Sequence, residues 1–375
     1  LPLAIELAAA QLKRFTPAML LAQLTMPGAL DVLSGGPRNA PPRHQTLRAT
    51  IGWSVDSLAP AEQALFARLG VFSGAFDRDA ARAICAAEMP EVEVDALLER
   101  LVSQSLLQIV RTPAHWFVML ETIREYALEQ LRRRDEEARQ RQRHLAYFAE
   151  LSMTADRQIR GSERQVCFDL LDAAYPNIQA ALSWGLEAAG DQSAAIRLVG
   201  SLWFYWRTRG LFSDAAHWLD APALYDGAVA PLDRARALAG LAWVLERQGT
   251  YSRMLELALT ALALARQTND QPTMLRALLL TALEDRDRAE AAHLRRTCLE
   301  LSVTLDDPWL RCQTQRWYGR PAADAPEEVW RRYWREREER ALESGDPWLM
   351  SELYQDQFAR AMSRNDTPAM RRIID

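Results

Sequence analysis

Ser105-Leu-Leu-Gln-Ile-Val110 and Trp116-Phe-Val-Met-Leu120, joined by Arg111-Thr-Pro-Ala-His115, decide how the chain is read. Both flanking runs are short and β-prone, and a five-residue connection separates them, which predicts a β-hairpin. Upstream, the apolar period is helical. Leu47, Ile51, Val55 and Leu58 predict one helix, and Pro60 sits in the first turn of a second that carries Leu65, Phe66 and Leu69. Asp77 is placed to cap a third, short helix with Ala80, Ala81 and Ile84. Val94, Leu97, Leu98, Leu101 and Val102 mark a fourth. After the hairpin, a long helix starts at about Glu121 and runs through Ile123, Tyr126, Ala127 and Leu131. Helices followed by a two-stranded wing predict a winged-helix domain over residues 44–135.

Beyond about residue 140 only helical patterns appear. Asp233–Gln248 and Tyr251–Gln267 predict a helical hairpin turning at Gly249-Thr250. Similar joints recur at Asn269-Asp-Gln-Pro272, Asp306-Asp-Pro308 and Gly345-Asp-Pro347, and Gly319–Glu327 interrupts the pattern. The prolines lie just under forty residues apart, within the period of stacked helical pairs that bury their apolar faces against one another. Residues 136–375 are therefore expected to form an α-solenoid. Residues 25–43, with Gly28, Gly35, Gly36, Pro27, Pro37, Pro41 and Pro42, read as a linker closing a first segment, 1–43. The fold class expected is mainly α.

Composition narrows the function. The chain has 375 residues, with 45 basic against 50 acidic and a formal charge of −5, so no strongly basic nucleic-acid footprint covers it. No run of 18 apolar residues appears. Cys85, Cys167, Cys298 and Cys312 show no CxxC spacing and no clustered histidines, which argues against a zinc site or disulfide framework and fits a reducing cytoplasm. The opening Leu1-Pro2-Leu3-Ala4-Ile5-Glu6-Leu7 lacks a charged leader and an initiator Met, and is expected to continue from a longer polypeptide.

Several strings resemble, in order, the NB-ARC-type signal-transduction ATPases, and more narrowly large LuxR-like and actinobacterial regulators carrying that ATPase. They are Leu1-Pro-Leu-Ala-Ile-Glu-Leu-Ala-Ala-Ala10, Gln45-Thr-Leu-Arg-Ala-Thr-Ile-Gly-Trp-Ser54, Leu69-Gly-Val-Phe-Ser-Gly-Ala-Phe76, Leu98-Glu-Arg-Leu-Val-Ser-Gln-Ser-Leu-Leu107 and Met119-Leu-Glu-Thr-Ile-Arg-Glu-Tyr-Ala127. They cover roughly the first third of the chain. In the helical region, Leu241-Ala242, Gly249, Tyr251 and Ala261 resemble positions of the tetratricopeptide repeat, with Met254 standing where that pattern wants a small residue. The resemblance implies that residues 1–43 end the ATPase helical subdomain. It implies that Pro2 is the nucleotide-contacting proline of that family, and that Met119-Leu120-Glu121 occupies its Met-His-Asp triad. Leu120 departs from the usual His and cannot hydrogen-bond a phosphate, while Glu121 keeps the acid.

No G-x-x-x-x-G-K-[ST] occurs, and Lys13, the only lysine, follows no glycine-rich loop. Without that loop nothing cradles the β- and γ-phosphates. The expectation is no cofactor and no ATP hydrolysis for this chain alone, with ADP or ATP and Mg bound by an intact parent. His44, His115, His144, His217 and His293 are scattered, and Ser54 and Ser73 lie in no G-x-S-x-G context. No catalytic constellation is visible. Trp203-Phe-Tyr-Trp206 reads as core filling before it reads as a pocket. The run Leu131–Arg143 reads as a solvated helix linking wing to solenoid. Around Val92–Gln104, Glu93, Asp95 and Glu99 outnumber Arg100, which argues against direct readout of a DNA groove.

The sequence thus points to a regulatory fragment in which the winged helix relays nucleotide state. The helical repeats would sense a protein or small-molecule inducer. Self-association belongs to the activated parent, DNA is reached through an output domain outside this chain, and no membrane is involved. Two alternatives stay open: direct DNA binding by the winged helix, and a stand-alone repeat scaffold.

Overall fold

The predicted hairpin is present in the computed structural model, with shifted ends. β1 (Gln108–Arg111) runs antiparallel to β2 (His115–Val118), placing Ile109 opposite Phe117 and Val110 opposite Trp116. Leu106 and Leu107 do not join the strand. Both donate their backbone N–H to the Leu101 carbonyl (3.0 and 3.3 Å), and Ser105 takes a left-handed turn (φ +61°), so this stretch ends the preceding helix and its leucines are buried. The structure describes residues 2–12, 14–24, 28–33, 46–85, 90–111, 115–187, 190–281, 288–305 and 307–374. Most of the expected linker 25–43, together with Lys13 and His44, lies outside them.

The chain divides into two compact units: Leu1–Phe148 with Ala173–Gly190, and Ala149–Asp172 with Asp191–Asp375. The first unit opens with α1 (Pro2–Gln11), α2 (Pro17–Leu24) and α3 (Ala29–Val32). In α4 (Leu47–Asp56), Thr46 caps the start by accepting the Ala49 N–H (3.0 Å), and Leu47, Ile51 and Val55 are buried. Pro60 begins α5 (Pro60–Leu69), where Glu62 reaches back to the Ala59 N–H (2.8 Å). Asp77 caps α6 (Arg78–Cys85) through the Ala80 N–H (2.7 Å). α7 (Glu91–Ser103) then buries Val94, Leu97, Leu98 and Leu101. Phe76 bridges to β2 by two hydrogen bonds with Phe117 (2.9 and 2.7 Å), and Phe72, Phe76 and Phe117 stack as the unit's aromatic core. α8 (Glu121–Arg133) leads into α9 (Glu137–Gln158), which is followed by α10 (Arg164–Gly185).

The run 131–143 is not the single helix expected. α8 ends at Arg133, Asp135 turns left-handed (φ +57°), and α9 restarts at Glu137. Ion pairs engage part of the run's charge: Arg132 and Arg141 both bind Glu137 (2.8 and 2.9 Å), and Glu136 receives Arg68 (2.7 Å). No glycine or proline announces this break.

In the second unit, α11 (Gln192–Arg209), α12 (Phe212–Leu219), α13 (Pro231–Gln248), α14 (Tyr251–Thr268) and α15 (Gln271–Leu280) pack in sequence order. They continue into α16 (Arg288–Thr304), α17 (Pro308–Tyr318), α18 (Glu327–Ser344), α19 (Pro347–Ser363) and α20 (Thr367–Ile374). The result is a helical-repeat array. Gly249 turns α13 into α14 at φ +83°, a conformation that side-chain-bearing residues avoid. The Asp-Pro joints have a mechanism: Asp307 and Asp346 accept the N–H of Leu310 (2.9 Å) and Trp348 (3.0 Å), while Pro308 and Pro347 fill the first helical position. The aromatic run is core. Trp203 and Trp206 are fully buried, and Trp203, Phe204 and Trp243 pack around Trp309 with ring centroids 5.4–5.8 Å from it.

Close packing of α11 on α13 depends on Gly240. A Cβ there would lie 2.7 Å from the Cβ of buried Trp203. Gly240→Ala therefore sets a helix-propensity gain of at most about 1 kcal/mol against an overpacking cost of about 1–3 kcal/mol. A net loss of about 1–2 kcal/mol in urea unfolding is expected; an unchanged or more stable variant would contradict this packing.

Candidate functional site

The positions singled out by resemblance fall on different elements. Pro2 opens α1, and its side chain lies outside the described residues. Leu120 stands at the N-cap of α8, half-buried, and its carbonyl accepts the N–H of Ile123 and Arg124 (2.9 Å each). Its side chain carries no hydrogen-bonding group, so the side chain at position 120 cannot bond a phosphate oxygen. Glu121 sits in the first turn of α8, where the helix dipole favours an acid. Its two oxygens are already engaged by Arg124 (2.6 and 2.9 Å). α1 packs on α4, whereas α8 packs on α3, α4 and α5.

What the structure adds is a polar clamp between α8 and the N-terminal segment. Glu125 accepts the backbone N–H groups of Gly28 (2.5 Å) and Leu30 (3.1 Å), and so satisfies donors at the start of α3. One turn further along α8, Glu129 holds Arg48 of α4, which also reaches Asp31 (2.9 Å). The hydrogen bond to Glu129, together with that to Asp31, raises the affinity of the Arg48 guanidinium for its proton. Residues 28–33, α4 and α8 are thereby tied by charge-assisted bonds. Sequence reading passed over this clamp. Its only local signature is Glu121, Glu125 and Glu129 recurring every fourth residue on one helix face.

A cleft of about 1010 Å³ adjoins this face, and Glu121, Arg124, Glu125, Ser183 and Trp184 are among the residues that line it. Two acids of α7, Asp95 and Glu99, are paired with arginines. Asp95 is held by Arg82 and lies 3.6 Å from Arg78, which also binds Glu99 (3.2 Å). Arg100 is paired with Glu62 (2.9 Å). Arg78, Arg82 and Arg100 are therefore each engaged by a carboxylate within the domain.

Among the described residues, no group of three His, Cys, Asp or Glu is placed to hold a metal ion, and no helix is long and apolar enough to cross a membrane. The four cysteines are buried free thiols, and burial pushes that of Cys85 up to about 12.

Comparison with known proteins places these features. Residues 58–132 match the family of winged helix-turn-helix domains. Proteins of Mycobacterium tuberculosis and Mycobacterium bovis that carry the provisional name of HTH-type transcriptional regulator are 33% identical over 337 residues, which is 85% of this chain and 37% of theirs. An uncharacterized protein of Mycobacterium tuberculosis is 36% identical over 133 residues, 35% of this chain and 33% of its own length. The chain thus spans about 37% of the length of the first of these relatives. The crystal structure of a signal-transduction ATPase with numerous domains (STAND) from Pyrococcus horikoshii, described as having a tetratricopeptide repeat sensor, is 15% identical. It aligns over 99% of this chain and 58% of its own with a TM-score of 0.49. This chain accordingly carries a winged helix-turn-helix domain over residues 58–132, followed by a helical array.

Proposed function

We propose that the chain is the regulatory part of a transcriptional regulator built on a STAND-type ATPase of the large LuxR-like, actinobacterial kind. In this reading residues 1–43 complete the ATPase helical subdomain, the winged helix relays its nucleotide state, and the tetratricopeptide-like array receives an inducer or partner protein. The observation that carries the relay is the clamp: Glu125 and Arg48–Glu129 fasten residues 28–33 to α8, so a displacement of that segment is passed to the winged helix without slack. The names of the mycobacterial relatives support a regulatory role.

ADP or ATP with Mg belongs to the intact parent, with Pro2 at the nucleotide. The Leu120 side chain contributes no hydrogen bond to a phosphate, because it is apolar. This chain alone lacks a phosphate-cradling loop and hydrolyses nothing. It works in the cytoplasm; the activated parent self-associates and reaches DNA through an output domain elsewhere in the polypeptide. Direct DNA binding by this winged helix is the second reading. The pairing of Arg78, Arg82 and Arg100 with Asp95, Glu99 and Glu62 speaks against it.

Two measurements test the proposal. The intact polypeptide is expected to purify with ADP, whereas these 375 residues bind no ATP at micromolar concentration. In the intact polypeptide, Glu125→Ala with Glu129→Ala is expected to speed ADP release by about 5- to 150-fold, the range of ordinary coupling energies. Release unchanged within about twofold removes the relay; micromolar ATP binding by this chain alone removes its non-catalytic role.

A further inference from the structure

In the second unit, α9, α11, α13 and α15 converge on a cavity of about 370 Å³. Its walls alternate in charge, and most of that charge is internally balanced. Asp156 binds Arg160 (2.7 Å), Asp233 binds Arg197 (3.3 Å), and Asp270 binds Arg236 (3.0 Å). Two lining guanidinium groups remain without a carboxylate partner among the described residues: Arg157 at the exposed rim and Arg276 deeper in.

Arg276 is held rather than loose. Its guanidinium donates to the Thr273 hydroxyl (3.0 Å) and lies over the Trp203 ring, 5.7 Å from the centroid. Its backbone carbonyl accepts the Trp243 indole N–H (3.1 Å). Burial lowers its affinity for a proton, Asp156, Asp270 and Asp307 oppose that, and the nearby Arg160 charge adds to it. A fixed, partly desolvated guanidinium with open donor sites is well suited to grip two oxygens of a carboxylate or phosphate by two hydrogen bonds. Gly200 lines the same cavity and keeps α11 close to α13: a Cβ there would lie 3.2 Å from the Ala237 backbone nitrogen.

We propose that this cavity binds a small organic oxyanion, a carboxylate or a phosphate ester, through Arg276 and Arg157. Its volume falls at the small end of the range for small-molecule pockets, about 300–1,000 Å³, and is too small for a helix or a folded segment. A ligand held there touches four helices at once and fixes them relative to one another. The proposal rests on the sensor reading of the array given above and names the chemistry of what is sensed.

The test is calorimetric titration of the 375-residue chain with sodium citrate and sodium pyrophosphate at ionic strength held constant with sodium chloride. One saturable site is expected for at least one probe, weakened at least about tenfold by Arg157→Glu and by Arg276→Gln, the loss of a charge-assisted contact being about 1.5–3 kcal/mol. Stronger binding of pyrophosphate assigns phosphate chemistry, and stronger binding of citrate assigns carboxylate chemistry. Far-ultraviolet circular dichroism checks that Arg276→Gln folds. Arg157→Glu, at the exposed rim, carries the test if it does not. No saturable heat with either probe overturns the proposal, as does binding that both folded variants retain. Such a failure leaves ADP release from the intact polypeptide untouched, so the site and the nucleotide relay stand or fall separately.

Discussion

Arg164→Met is expected to destabilise the helical array by about 3–5 kcal/mol, the cost of leaving a buried charge without its partner. Arg164 of α10 donates to Asp346 at 2.7 Å, and the Asp346 side chain is completely shielded from solvent (0% exposed). Asp346 also caps α19 through the Trp348 N–H, while its second oxygen has no protein partner. Methionine keeps much of the apolar packing that the Arg164 side chain makes beside Phe168, Phe204 and Trp348, so the substitution removes charge more than volume. Burial already raises the Asp346 carboxyl above its ordinary value, with Arg164 as the main opposing influence. Removing the guanidinium raises it further. A carboxyl whose folded-state pKa lies above its unfolded value binds its proton more readily when folded, so protonation favours the fold as pH falls. The deficit of Arg164→Met relative to the wild-type chain is therefore expected to narrow between pH 7 and pH 5. Adding Asp346→Asn removes the stranded charge and should recover part of the loss at pH 7. Urea unfolding at the two pH values reads both effects, and a cost under about 1 kcal/mol at pH 7 would show that the pair behaves like an exposed one.

Where neighbouring residues decide a structure, the sequence was readable. Asp77 and Pro60 announced helix starts, Gly249 a left-handed turn, and the Asp-Pro steps the joints of the array, because a cap or a fixed φ acts within three or four residues. Leu106 and Leu107 were misread for a physical reason. Apolar residues at a helix exit look like apolar residues in a strand, and what separates them is the Leu101 carbonyl that accepts both N–H groups. The break at Asp135 was hidden because an aspartate adopts a left-handed turn at modest cost without the glycine that usually marks one. The clamp and the cavity are non-local. Arg48 and Glu129 lie 81 residues apart, and the cavity draws on four helices, so the every-fourth-residue glutamates of α8 show a charged face but not its partners, and the cavity leaves no periodic trace. Leu120, singled out by resemblance alone, stands at the N-cap of α8, and its side chain carries no hydrogen-bonding group.

Lowering the pH from 6.5 to 5 is expected to cost the winged-helix unit about 2 kcal/mol through His144. The imidazole is 3% exposed, wedged between Phe72 (5.5 Å) and Phe148 (4.7 Å), and Nε2 lies 3.4 Å from the Asn177 Oδ1. That oxygen already accepts the Ser73 N–H (2.8 Å), and the Asn177 amide donates to the Ala75 carbonyl (2.8 Å), so Oδ1 is the acceptor and His144 the donor. The ring is held neutral. Burial pushes its pKa down to about 3; the Asn177 bond opposes this weakly, and the Arg141 charge adds to it. In the unfolded chain the same ring titrates near 6.5. Above that value neither state carries the proton, and no pH dependence arises. Below it the unfolded chain binds a proton that the folded one refuses, so stability falls by up to about 1.4 kcal/mol per pH unit until the folded ring titrates near 3. The Glu137 carboxylate enters later. Burial pushes Glu137 up, but hydrogen bonds from Arg132 and Arg141 outweigh this and hold it below its ordinary value, so its contribution is lost only below about pH 4.3. The interval from pH 6.5 to 5 therefore isolates the histidine. His144→Leu leaves the Asn177 Oδ1 bonded to Ser73 and removes the only group in this pocket that titrates there, so its urea midpoint should stay flat across the interval while the wild-type midpoint falls. Parallel slopes in the two proteins would mean that the histidine is not the source of the acid sensitivity.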